Sequence, residues 1–208
     1  MLFRSFLFSI VIVVLLGGCV RGAEPPTAAL SLAPADGCAA PCWRGIRPGE
    51  TTGAEAEMIL QAAFGQEAVA REGDFLTWTA AEGVTGRAAL TDGRVGALTF
   101  ELAEGALTVD ELLAQIGSPD EVQVSLPHVP RNADQSATCE LLRLRYPRRQ
   151  LEVTLYGSES GEVLPEQSVS RLYLAPARPE LSMMTPFYGR EWAGYGAYCV
   201  TVDEFLQE

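Results

Sequence analysis

The sequence predicts an α+β fold made of two consecutive helix-then-antiparallel-sheet units. Three observations carry that expectation. Two Thr-x-x-Glu strings, Thr52-Gly53-Ala54-Glu55 and Thr108-Val109-Asp110-Glu111, have the form of capping boxes, in which hydroxyl and carboxylate satisfy free N–H groups at a helix start. Each opens an apolar stripe at helical spacing, and each stripe is followed by runs of strand character. Asp92-Gly93, between two of those runs, is a hairpin turn signal.

The elements follow in order. Met1-Leu2-Phe3-Arg4 and the apolar run from Ser5 to Leu16 have the charge and length of a signal peptide, so 1–18 is expected to be removed. That run is shorter than the ~20 residues of a spanning helix. It ends in Leu16-Gly17-Gly18-Cys19, which resembles the lipobox of bacterial lipoproteins. The resemblance implies cleavage before Cys19 and lipidation of its thiol. Residues 19–36, rich in Ala and Pro, read as a flexible tether. Val20 stands where Asp acts as an inner-membrane retention signal in many two-membrane bacteria. The expected location is therefore the cell envelope, lipid-anchored on the extracytoplasmic face of the plasma membrane or of an outer membrane.

The first unit is placed at 37–105. Ala56, Ile59, Leu60, Ala63 and Phe64 form the stripe of its helix, Gly65 ends it, and strands are expected at 75–80, 85–91 and 94–102. The second unit is placed at 106–208. Leu112, Leu113 and Ile116 make its helical stripe, Gly117 and Pro119 stop it, and strands are expected at 121–126, 139–146, 150–156 and 169–175. The alternation Leu142-Arg143-Leu144-Arg145-Tyr146 implies one buried and one wet face. Thr201-Val202-Asp203-Glu204 predicts a short terminal helix. The two halves share a pattern and little identity, so a single irregular α+β domain fits the same residues.

Pro48-Gly49-Glu50-Thr51-Thr52 and the Leu-Ala-Gln-Ile-Gly-Ser-Pro string ending at Pro119 resemble the Pro-Gly-x-Thr and Leu-Gly-x-Pro signatures of BamE-like (SmpA/OmlA) envelope lipoproteins. One half carries each signature. The resemblance, shared with the tandem fold of β-lactamase-inhibitor protein, implies helices packed on one face of a small antiparallel sheet and a protein-interaction role, with no catalytic residues to carry over.

A formal net charge of -12 opposes nucleic-acid binding and adhesion to anionic lipid by a basic face. All 15 basic residues are Arg, which excludes lysine nucleophiles and Schiff bases. Beyond Cys19 stand Cys38, Cys42, Cys139 and Cys199. An even count in an exported chain favours disulfides, and of three pairings Cys38–Cys42 with Cys139–Cys199 is preferred because Cys-Ala-Ala-Pro-Cys closes locally. Its spacing is one residue too long for a thioredoxin-like motif, and zinc would want further ligands. His128, in Pro127-His128-Val129-Pro130, is the only histidine and reads as a solvated loop residue. No cofactor, metal site or catalytic set is expected.

The stretch 187–198 concentrates aromatic residues. Tyr188, Arg190, Trp192, Tyr195 and Tyr198 form a possible binding surface, or else cover the sheet as a structured loop. The expected function is non-enzymatic: a membrane-anchored lipoprotein whose domain binds an envelope protein or a cell-wall component. The alternative is a carbohydrate-binding or carbohydrate-processing module built on those aromatics.

Overall fold

A computed structural model describes residues 30–32, 38, 41–81, 83–125, 141–157, 161–176 and 187–199. The leader, Cys19, His128, Cys139 and the proposed terminal helix lie outside them. Both capping boxes form. Helix α1 (Gly53–Phe64) starts on Thr52, whose side chain accepts from the Glu55 N–H while Glu55 accepts from the Thr52 N–H. Helix α2 (Val109–Ile116) starts on Thr108 and Glu111 in the same way. Gly65 and Gly117, at φ 93 and 76, end the two helices at the positions expected.

The Glu55 carboxyl is held below its ordinary range, first by the Thr52 backbone N–H and then by the Thr52 hydroxyl. A depressed carboxyl stabilises the fold above its unfolded value, and the effect fades as pH falls through its folded value. Helix α1 is therefore expected to loosen first under acid, seen as earlier amide exchange in 53–57 than in the central strands. In α2, only eight residues long, Thr108→Ala is expected to cost ~1 kcal/mol in urea unfolding.

The strands are β1 (Val69–Glu72), β2 (Phe75–Ala81), β3 (Val84–Thr91), β4 (Arg94–Leu102), β5 (Glu121–Ser125), β6 (Leu141–Tyr146), β7 (Leu151–Leu155), β8 (Glu162–Val163), β9 (Val169–Leu174), β10 (Phe187–Glu191) and β11 (Gly196–Ala197). Nine of them join in one antiparallel sheet, ordered β1-β2-β3-β4-β9-β7-β6-β5-β10. The expectation of two helix-plus-sheet units of the BamE or β-lactamase-inhibitor-protein type is thereby overturned. The chain is mostly one continuous sheet, with two α-helices among the described residues. The join is β4 on β9, through Leu98↔Leu174, Thr99↔Tyr173, Phe100↔Leu172 and Glu101↔Arg171. Kept apart, these two strands would each leave an edge of unpaired N–H and C=O groups.

Pairing across the sheet fixes its two faces. One row runs Trp78, Gly86, Phe100, Leu172, Val153, Leu144 and Val122, and the next runs Leu76, Ala88, Leu98, Leu174, Leu151 and Tyr146. All of these are buried. Ala56 and Leu60 of α1, and Val109, Leu112 and Ile116 of α2, complete the same core. Tyr146 reaches up from the sheet to donate to the Gly117 carbonyl at the end of α2 (3.1 Å), and burial pushes its phenol well above the ordinary range.

Leu30 and Leu32 correct the tether reading. They fall inside 19–36, yet they are 2% and 8% exposed and belong to the core. The Leu32 N–H donates to Gln115 Oε1 of α2 at 3.2 Å. Burial of these two branched apolar side chains holds residues 30–32 on the fold.

Candidate functional site

Two surfaces compete for attention: the aromatic corner and the polar face of the sheet. The corner begins on β10, an edge strand paired to β5 from Phe187↔Ser125 to Glu191↔Glu121. Tyr188 stands opposite Val124. The Glu121 carboxylate crosses over Gly189, where a Cβ would meet it and make it shift. The chain then turns through Trp192 to Tyr195, and β11 pairs with β8.

Tyr198 holds this turn from within. It is 4% exposed, its hydroxyl donates to the Gly194 carbonyl (2.6 Å) and accepts from the Ala193 N–H (2.9 Å), and its ring stacks on Trp192 at 5.9 Å. Trp192 packs against the core from outside. Tyr195, 42% exposed, stands edge-on to Trp192 at 5.8 Å and donates to Asp110 Oδ1 at 3.1 Å. Beside it lies an open depression of about 270 Å³ lined by Arg190, Glu191, Tyr195, Tyr198 and backbone. Of the five residues nominated from sequence, Arg190 and Tyr195 are on the surface, Trp192 is half-buried and Tyr198 is structural. Asp110 was missed as a member of the corner, because its place in a capping box already accounted for it.

The Tyr195 phenol is shifted up, by partial desolvation and then by the hydrogen bond and charge of Asp110. In Tyr-labelled NMR titration it is expected to ionise above the ordinary ~10. Asp110→Asn should bring it back down.

Cys38 and Cys42 are joined at a Cα separation of 5.1 Å, as the local-closure argument expects. Cys199 is disulfide-bonded as well; its expected partner, Cys139, lies outside the described residues. Among the described residues no group of three or more His, Cys, Asp or Glu is arranged to hold a metal ion.

The second surface is the face of the sheet opposite the helices. Its rows read Thr77, Arg87, Thr99, Tyr173, Glu152, Arg145, Glu121 and Thr79, Thr85, Glu101, Arg171, Thr154, Arg143, Gln123. Ion pairs run along the rows, Arg171 to Glu101 (2.7 Å) and Arg145 to Glu121 (3.5 Å) and Glu152 (3.7 Å), and Arg143 to Glu152 (3.8 Å) joins one row to the other. Partial burial lowers the pKa of Arg143, opposed by Glu152 and reinforced by Arg171 and Arg145. Arg87 lies over the Phe75 ring, 3.6 Å from its centroid. Exposed ion pairs of this kind add little stability, and their effect is to fix the direction of each charged group. Four Arg among these rows balance three Glu, on a chain whose net charge is -12. The excess acid therefore lies elsewhere. The Leu142–Tyr146 alternation signalled this face for one strand, and only the pairing assembles the rest.

No family model matches this chain, and neither a curated protein nor a solved structure matches it.

Proposed function

We propose that this chain is an exported envelope lipoprotein, anchored through lipid on Cys19, whose domain acts by binding another protein and performs no chemistry of its own. The observation that carries the binding half is the open sheet face. Seven strands at ~4.8 Å spacing give a surface ~30 Å wide, the scale of the ~800 Å² that each partner buries in a standard interface. Its Arg and Tyr side chains suit an interface, and among the described residues no helix covers them. The anchoring half stands on Leu16-Gly17-Gly18-Cys19 and the apolar run before it.

Open ring faces are what a carbohydrate platform needs. Trp192 and Tyr198 stack on each other at 5.9 Å, so of the rings in this turn Tyr195 alone is left for a sugar. The corner accordingly supports the carbohydrate alternative less well than the sheet face supports a protein partner.

A photo-crosslinking residue placed at Tyr173, in membranes of the producing cell, is expected to give one discrete protein adduct that Arg87→Glu abolishes. The same residue at Met58, 63% exposed on α1, should give none. Adducts from Met58 alone would overturn the reading of the sheet face. Intact mass of the membrane-extracted protein tests the anchor: a chain starting at Cys19 with diacylglyceryl mass is expected, and an unmodified cysteine would end that half.

A further inference from the structure

We infer that the outer side of β10 is a docking edge for an extended segment of a partner protein, one that carries Arg or Lys at every second position. The inference rests on neither the anchor nor the sheet face. Its observation is the backbone of the last strand. The Trp192 N–H donates to the Asp120 carbonyl at 3.3 Å, and Arg190 and Tyr188 stand opposite Val122 and Val124 in the same register. Backbone groups alternate in direction along an antiparallel strand, so positions 188, 190 and 192 turn toward β5. The N–H and C=O groups of Phe187, Gly189 and Glu191 therefore point away from the sheet. The bond from the Ala175 N–H to the Gln150 carbonyl (3.2 Å) fixes the same alternation from β9 inward, through β7, β6 and β5. Gly189, Arg190 and Glu191 are exposed, and among the described residues no strand pairs with this side of β10.

The far edge of the sheet is blunted. Its strand, β1, has four residues, and Arg71 is held to Glu57 of α1 at 3.2 Å. β10 has no such stop, and Gly189 at its middle lets another backbone come close. Main-chain hydrogen bonds to such an edge supply affinity, and the side chains of the added strand supply specificity.

Charge names the occupant. On the polar face one row ends Glu152, Arg145, Glu121, Glu191, with the last two directly opposite each other. Arg145 serves both Glu152 (3.7 Å) and Glu121 (3.5 Å), so Glu191 faces a like charge and has no cation beside it. Like charges directly opposite each other are destabilising, and a cation on the next strand relieves them. The Glu121 carboxylate lies over Gly189, two residues along β10 from Glu191. Positions 189 and 191 are one face repeat apart, ~6.6 Å. An added strand with basic residues at i and i+2 therefore sets one against each carboxylate. A second copy of β10 has Gly189 and Glu191 on that face and its one Arg on the other, and it brings a further net charge of -12.

The full chain in detergent micelles is titrated with the peptide acetyl-Val-Thr-Arg-Thr-Arg-Thr-Val-amide. Its isomer acetyl-Val-Thr-Thr-Arg-Arg-Thr-Val-amide has the same charge with the cations on opposite faces. The first is expected to bind ~tenfold more tightly and to slow exchange of the Gly189 and Glu191 amides ~tenfold or more, read by NMR. Gly189→Pro removes an outward N–H that β5 does not use, so it should keep the fold and lose that preference. Glu191→Arg, at an exposed side chain, repeats the test through charge should the proline variant melt early. Equal binding of the two peptides, or binding that leaves both amides unprotected, overturns the docking edge. Self-association of the chain that Gly189→Pro abolishes gives the edge to a second copy and overturns the basic segment. The Tyr173 crosslink reads the sheet face separately, so either reading can fail alone.

Discussion

Trp78→Ala is expected to lower the free energy of unfolding by ~3–5 kcal/mol, the range for removing a large buried aromatic. Against a typical total of ~5–15 kcal/mol, that is enough to leave a marginal fold. The side chain is 2% exposed and lies at the centre of an aromatic group: Trp43 stacks on it at 5.6 Å and Phe100 stands across it at 5.8 Å. Trp43 also packs on Phe100 at 4.7 Å and on Phe64 of α1 at 6.1 Å, so the group joins helix to sheet.

Gly86 explains why nothing smaller will do at 78. It is the cross-strand partner of Trp78, and a Cβ there would lie 2.0 Å from Trp78 Cε2. The indole thus occupies the space a side chain at 86 would fill. Gly86→Ala alone should cost ~1–3 kcal/mol by overpacking. Combined with Trp78→Leu it should cost less than the two changes summed, because the leucine vacates the space. Neither the Trp43 nor the Trp78 indole N–H meets an oxygen or nitrogen acceptor. Trp78→Phe consequently gives up volume without stranding a hydrogen-bond partner, and should be milder than Trp78→Ala. Urea unfolding followed by far-ultraviolet circular dichroism measures the set; a loss under ~1 kcal/mol for Trp78→Ala would show that the site collapses around the gap.

What the residues announced, and what they withheld, divides along one physical line. Signals within a few residues of each other were legible. The capping boxes at Thr52 and Thr108, the glycine stops at 65 and 117, and strands β3 and β4 around Asp92-Gly93 all lie where local rules put them. Strand β1 was missed because Val69-Ala70-Arg71-Glu72 is short and mostly exposed, with no alternation to read. β10 was missed because Gly189 and the crowd of aromatics look like a loop, and its pairing partner, β5, lies far away in sequence. The sheet order had no local signal at all. Leu172 and Phe100 are each ordinary strand residues, and that β9 enters between β4 and β7 follows only from which edges remain to be covered. The same holds for function: Arg143 and Arg145 read as wet positions on one strand, whereas the lattice they form with Glu121 and Glu152 belongs to the assembled sheet.

Cys19→Ala is expected to move the protein from the membrane pellet to the soluble fraction while leaving its melting temperature unchanged. The first half follows from the proposed lipidation of Cys19. A net charge of -12 opposes anionic lipid, and among the described residues no helix is long and apolar enough to cross a membrane. Acyl chains hold by ~0.8 kcal/mol for each buried CH₂, so if Cys19 carries the proposed lipid, losing it removes far more than the few exposed apolar side chains of α1 can replace. The second half follows from Leu30 and Leu32. Leu30 and Leu32 are held by the core's own packing, and release of Cys19 removes none of those contacts. Leu30→Ala makes the opposite separation: it should stay with the membrane and lose ~2–5 kcal/mol of stability, the range for truncating a buried leucine. Fractionation with thermal melting of both variants checks the pair. A Cys19→Ala protein that still pellets after an alkaline carbonate wash would sink the lipid anchor, and one that turns soluble but melts earlier would mean that the seating of Leu30 depends on the tether's far end.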